Sequence, residues 1–186
     1  YLAGVGVAFK LCQGIEFELN QNDKIKKDKT KSLSSTLENL LDIVTLGTVA
    51  DIVPLTGENR IMISRGLEIL DNTDNIGLKV LIKKVGLTEK NITPGHIGYI
   101  IAPHLNAAGR ISNPEKGIEL LTTDSREKAE EISARLVNIN RERQDIEQKI
   151  LEEAKEMIEE QIDLEKDKGI VLASNEWHSG VIGIVA

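Results

Sequence analysis

DSREKAEEISARLVNINRERQDIEQKILEEAKEMIEEQIDLEKD, running from Asp124 to Asp167, holds neither glycine nor proline. Apolar residues fall at Ala129, Ile132, Leu136, Ile139, Ile146 and Ile150, separated by three, four or seven positions, with Arg143 interrupting the stripe. That period is helical. Asp124, followed three residues later by Glu127, has the pattern of a capping box. A helix of about 38 residues at 1.5 Å per residue would reach about 57 Å, too long to be buried along its length in one small domain. A coiled-coil arm and a helix bridging two parts of the molecule both satisfy this. Arg143 and the loss of register after Ile150 favour the bridge.

Beyond Lys168 the composition changes. Gly169–Ser174 reads as a short buried-type strand, Asn175–Gly180 as a loop, and Val181–Ala186 as the start of a helix. A strand and a helix after a bridging helix imply the opening of a second, α/β unit. The expected organisation is therefore α/β, with a largely helical part over residues 1–123, a long helix over 124–167, and the first strand and helix of a further unit over 168–186.

Upstream, Leu2–Cys12 reads as a small-residue helix. Gly4 and Gly6 make half of a dinucleotide-binding glycine motif, but Phe9 stands where the third glycine belongs, so tight helix packing is preferred. Asn20–Lys31 is a lysine-rich polar excursion. Leu33–Asp51 runs from a short helix into Leu40-Leu-Asp-Ile-Val-Thr-Leu-Gly-Thr-Val-Ala-Asp51, with Pro54 ending it. Glu58–Leu70, Gly77–Val85 and Glu115–Leu121 are helical. Thr93-Pro94 supplies a capping hydroxyl and a proline at the first helical position. That helix is expected to end near Pro103.

The 186 residues carry 23 Lys+Arg against 30 Asp+Glu, a net charge of −7. A strongly basic nucleic-acid coat is thereby excluded, though a local basic groove is not. Cys12 stands alone, so no internal disulfide forms, and with three scattered histidines it builds no zinc cluster. No apolar run approaches the roughly 20 residues of a membrane span and no signal-peptide pattern opens the chain. A cytoplasmic protein is expected. Tyr1 is not a start methionine and the apolar run to Ala186 has no stop signal, so the sequence reads as a piece of a longer chain.

Three places carry chemistry. Asp51 follows a small-residue turn, Gly47–Ala50, and is flanked by apolar neighbours, where an ionised carboxylate is costly unless paired or metal-bound. Metal ligation and a turn-stabilising role both fit, and nothing nearby supplies the further ligands. In Ala102-Pro-His-Leu-Asn-Ala-Ala-Gly-Arg110, Asn106 and Arg110 stand four apart and the arginine fork suits a phosphate or a carboxylate. His104 is open as ligand, proton donor or structural residue, and His96 reads as surface. In Trp177-His-Ser-Gly180, Ser179 is expected to cap the following helix, with His178 and Gly180 beside an anion site or simply within a turn.

LGTVADIVPL (Leu46–Leu55), PHLNAAGR (Pro103–Arg110) and WHSGVIGIVA (Trp177–Ala186) occur in that order, preceded by LAGVGVAFK (Leu2–Lys10). Together they resemble the RecJ-type, single-strand-specific 5′→3′ exonuclease family of the DHH phosphoesterase superfamily. The likeness runs the length of the chain, including the long charged helix, which in that family joins the DHH domain to the DHH-associated domain. The resemblance implies a phosphodiesterase using two manganese or magnesium ions, with Asp51 as a metal ligand. Asn106 and Arg110 would lie on the phosphate side, and His104, His178, Ser179 and Gly180 would be substrate contacts. The remaining ligands, on an aspartate motif and the Asp-His-His motif, and the Gly-Gly-His motif are absent here, so this stretch alone is expected to be inactive. The family pattern usually has arginine where His104 stands, which replaces a permanent charge by a titratable one.

Single-stranded DNA is the implied substrate. A single-strand-binding protein and a RecQ-type helicase are candidate partners, and a monomer is expected. Residues 146–168 hold nine acids and four bases, so that end should face away from the strand. Aromatics are 3%, so base stacking would come from elsewhere. A DHH phosphoesterase acting on small nucleotides or pyrophosphate, and a catalytically inactive DNA-binding scaffold, are the alternatives.

Overall fold

Leu78, Leu81, Ile97, Ile101, Leu120 and Leu136 are fully shielded from solvent and mark where the helices meet. The structure, a computed structural model, describes residues 1–21, 30–87, 91–163, 166 and 168–186. Its helices are α1 (Gly4–Gln21), α2 (Thr30–Asn39), α3 (Leu41–Ala50), α4 (Gly57–Leu70), α5 (Ile76–Lys84), α6 (Pro94–His96), a π turn (Ile97–Ile101), α7 (Ala102–Ile111), α8 (Glu115–Thr122), α9 (Arg126–Gln161) and α10 (Ile182–Val185). Most of the polar excursion expected over Asn20–Lys31 lies outside the described residues. Its first two residues continue α1 and its last two open α2. No helix among the described residues is long and apolar enough to cross a membrane.

The main core joins Leu46 and Val49 of α3, Ile63 and Leu70 of α4, the apolar face of α5, Ile97 and Ile101 of the π turn, Leu120 of α8, and Ala129, Ile132 and Leu136 of α9. A smaller cluster joins Phe9, Leu37, Leu41, Val44 and Met62. Close approach of α3 and α4 needs a missing side chain: a Cβ on Gly66 would lie 1.9 Å from Thr45 Oγ1 and 2.3 Å from the Leu41 carbonyl oxygen. Buried polar groups tie the ends. Asp42, 3% exposed, accepts from the Thr73 hydroxyl and from Ile43 N–H at 2.5 Å. Asn75 caps α5 by accepting from Leu78 N–H and donates to the Leu121 carbonyl at 2.7 Å.

The long helix is 36 residues, about 54 Å at 1.5 Å per residue. Its cap is Ser125, whose hydroxyl accepts from Lys128 N–H at 3.2 Å, rather than the expected Asp124. A serine one residue nearer the first turn reaches the N3 amide, so Asp124 stays outside the helix. The expected stripe packs the first half of α9 onto α5, α7 and α8. Arg143, which interrupts it, lies along the helix, paired with Glu147 and donating to Asn140 Oδ1 at 3.1 Å.

Glu119 links α8 to α9, meeting Lys116 Nζ at 2.6 Å and Lys128 Nζ at 2.7 Å. Hydrogen bonds from Lys116 and then Lys128 hold its carboxyl down to about 2, against an ordinary value of 4.5. A depressed carboxyl adds stability above its unfolded value and loses it as pH falls through the folded one. Acid unfolding of the chain should therefore lose a component between pH 4.5 and about 2 that Glu119→Gln lacks. An unchanged acid limb in the variant would show that the two lysines do not engage it.

Two expectations about helix and strand are corrected. Pro103 does not end a helix: the chain runs on from α6 through the π turn into α7, with the proline in the first turn of α7. The widened turn lets Ala102 N–H bond Ile97 O, one residue further back than usual, so the missing proline donor falls where a helix start tolerates it. Gly169–Ser174 forms no strand, and there is none among the described residues. A strand exists only through a neighbouring ladder, and without one Val171 is 92% exposed. The described chain is thus helical, as expected over residues 1–123, without the strand expected after the long helix.

Candidate functional site

Asp51 stands at the end of α3. The expected small-residue turn before it, Gly47–Ala50, is the last turn of that helix, and Asp51 N–H bonds Gly47 O at 3.1 Å. The buried carboxylate of this segment is Asp42; Asp51 is exposed. Both acids lie in the same apolar run, and the partner that makes Asp42 tolerable, Thr73, is 31 residues away. Ile52 follows with φ +54° at 88% exposure. A β-branched residue there stores about 1 kcal/mol or more of strain, and such strain clusters at functional sites. Beyond it, the buried Asn59 amide donates to the Pro54 and Tyr1 carbonyls, each at 2.9 Å, pinning the turn that carries Asp51.

α7 supplies the facing wall. Gly47 and Ala50 of α3 and Asn106 and Gly109 of α7 border one groove of about 450 Å³, closed by Val5 and Ile118. Gly47 is required there, because a Cβ would stand 2.9 Å from Val5 Cγ1. Asn106 and Arg110, four apart and both exposed, share a face of α7. His104, two positions before Asn106, leaves from the other side of the helix. Its Nδ1 lies 2.6 Å from the Ile100 carbonyl, which only accepts, so Nδ1 bears the hydrogen. The histidine thus satisfies a carbonyl of the π turn. His96 is likewise structural: its N–H donates to Thr93 Oγ1 and its Nδ1 accepts from Thr93 N–H, the start expected from Thr93-Pro94.

Arg110 meets the third constellation. Its Nη1 donates to the Gly180 carbonyl at 3.3 Å, and Gly180 N–H donates to His178 Nδ1 at 3.1 Å. The turn is held from the other side by Trp177, whose indole N–H donates to Glu153 Oε2 of α9 at 2.8 Å. Ser179 does not cap α10: the cap is Val181, with no side-chain bond. Val181 is fully buried, which sets the helix start two residues later than the serine. A four-residue α10 offers no anion site at its N-terminus.

The structure thus brings Asn106 to a groove shared with Gly47 and Ala50 in the turn of α3 before Asp51, and Arg110 to Gly180, which in turn bonds His178. It leaves His104 facing its own helix, and Ser179 on an apolar groove between Ile150–Ile158 and Ile170–Ala186. Asp42, Asn59 and the Trp177–Glu153 tie escape a reading of spacing, since each depends on a partner distant in sequence. Among the described residues no three His, Cys, Asp or Glu side chains cluster to hold a metal. Asp51 offers one carboxylate, enough for one ligand and not for a cage.

No family model matches the chain. Over 186 residues, all of its length, it is 40% identical to the single-stranded-DNA-specific exonuclease RecJ of Bacillus subtilis, of which it covers 21%. The chain therefore spans about a fifth of that relative's length. Among solved structures, RecJ of Thermus thermophilus in complex with Mg²⁺ matches with a TM-score of 0.72 and 35% identity, over 80% of this chain and 23% of that one. The same protein in complex with Mn²⁺ matches equally, at 0.72 and 35%, over 80% of this chain and 22% of that one.

Proposed function

We propose, from the membership of this chain in the RecJ family, that it forms one wall of the active site of a metal-dependent, single-strand-specific DNA 5′→3′ exonuclease. On this reading residues 1–123 are part of the DHH catalytic domain, 124–167 the interdomain helix and 168–186 the start of the DHH-associated domain. One observation carries the reading: Gly47 and Ala50, in the turn of α3 that leads into Asp51, and Asn106 of α7 border a single groove, in a chain 40% identical along its whole length to a single-stranded-DNA-specific exonuclease.

Asp51 would hold one manganese or magnesium ion, the other ligands coming from residues outside this chain. When bound, the two ions of the complete site activate a water and neutralise the phosphate. The chain's own task is to present and orient. Asn106 would donate its amide to the strand, with Arg110 and the His178–Gly180 turn at the next step along α7. His104 holds the π turn that aims them. The acidic outer part of α9 keeps the strand away from that end by repulsion. A single-strand-binding protein and a RecQ-type helicase are candidate partners of the whole enzyme, which would act as a monomer.

The test is hydrolysis by the full-length enzyme of end-labelled oligonucleotides. Release of mononucleotides from the 5′ end of single strands, dependent on manganese or magnesium and abolished by chelation, is expected. Equal cutting of duplexes, activity in chelator, or hydrolysis confined to pyrophosphate or short nucleotides would overturn the reading.

A further inference from the structure

Two segments 70 residues apart touch at Gly180. A Cβ on this residue would lie 2.1 Å from the Arg110 carbonyl oxygen and 3.2 Å from His178 Cε1, so only a hydrogen fits. Arg110 Nη1 closes the contact by donating to Gly180 O. The same glycine donates its N–H to His178 Nδ1 at 3.1 Å. An amide N–H only donates, so Nδ1 of the neutral ring keeps its lone pair and the proton sits on Nε2. The ring is exposed. It is carried on a turn fixed at Val181, whose N–H bonds His178 O at 2.9 Å, and at Trp177 through Glu153.

We infer that Arg110 is a positioning residue: by holding Gly180 against the end of α7 it fixes His178 as an Nε2–H donor, and His178 is the group that touches a phosphodiester oxygen of the strand. An arginine that binds phosphate directly presents its planar fork in two parallel bonds. Here one arm of the fork is committed to a neutral carbonyl. Besides the N–H groups that Arg110 keeps, the donor that the turn itself fixes in direction is the exposed imidazole Nε2–H, and an anionic oxygen is the acceptor it suits. The identity of the ligand rests on the function proposed above; the fixing of the tautomer does not.

Ring-¹⁵N-labelled histidine in the full-length enzyme reads the first half, from the signals of the neutral ring. His178 should show a protonated Nε2 and an unprotonated Nδ1, and both Arg110→Ala and Gly180→Ala should shift it toward a mixture of tautomers. A ring signal unmoved by Arg110→Ala overturns the positioning role. Binding of oligo(dT) without divalent ions, measured across a salt series, reads the second half. Arg110→Ala should weaken binding roughly tenfold, the scale of one lost hydrogen bond, with the slope of log K against log salt unchanged. A direct phosphate contact would instead lower that slope by about 0.7 for a single strand. The double variant with His178→Ala should bind no more weakly than His178→Ala alone; additive losses overturn the proposal. If the full-length protein fails to bind single strands at all, the function reading falls, while the tautomer result still decides whether the latch exists.

Discussion

Asp51→Ala in the full-length enzyme is expected to cut manganese-dependent hydrolysis of single strands by at least about a hundredfold, since even groups that merely orient metal ligands cost 10- to 100-fold when removed. Manganese affinity, followed by titration, should fall with it. The fold should not change. The Asp51 side chain is exposed, and what the residue gives its helix is a backbone N–H to Gly47 O, which alanine keeps. The unfolding midpoint of the variant should therefore match the wild type. Full activity with undiminished manganese binding would remove the ligand role. Loss of activity together with a lowered midpoint would instead assign Asp51 to the turn it shares with Ile52, whose left-handed backbone already carries strain.

Gly66→Ala is the largest expected effect on stability. The added methyl would stand 1.9 Å from Thr45 Oγ1 and 2.3 Å from the Leu41 carbonyl oxygen, and the latter is backbone that no rotamer change relieves. α3 and α4 must part, opening the contact between Thr45, which is 0% exposed, and the rest of the core. Overpacking of this kind costs about 3 kcal/mol or more. For a chain of this size that is a drop of about 10 °C in the midpoint of thermal unfolding. Because α3 carries Asp51, the surviving folded enzyme should also lose part of its manganese affinity. A midpoint within a degree of wild type would mean that α3 and α4 are farther apart than described.

Helices with an uninterrupted period were legible residue by residue. Glu58–Leu70 became Gly57–Leu70, Gly77–Val85 became Ile76–Lys84, and the long helix expected over 124–167 differs by its cap and by ending at Gln161. Local chemistry was legible too where it is self-contained, as at Thr93-Pro94. What failed depends on distant partners. Gly169–Ser174 has the composition of a strand but no ladder to join. Asp42 and Asp51 look alike in sequence, and only Thr73 distinguishes the buried one. Pro103 reads as a stop, because a sequence does not display the π turn that accommodates it. The candidate site was legible as three motifs. That Arg110 reaches Gly180, and that His104 turns back to Ile100, are facts of packing.

The π turn also sets the angular indexing of everything that follows it. A regular α-helix advances 100° per residue, so the extra residue accommodated between Ile97 and Ile101 acts as a phase offset for α7. Removing one residue along with the π turn would leave the Asn106–Arg110 face almost where it is, whereas restoring ordinary α pitch there at the same length would swing that face by about 100° relative to the Thr93 anchor. Asparagine and arginine would then address a different neighbour without any change in their own identities. Within this stretch, pitch sets the aim: a substitution that keeps the π turn leaves it intact, whereas one that restores α pitch at the same length misdirects it.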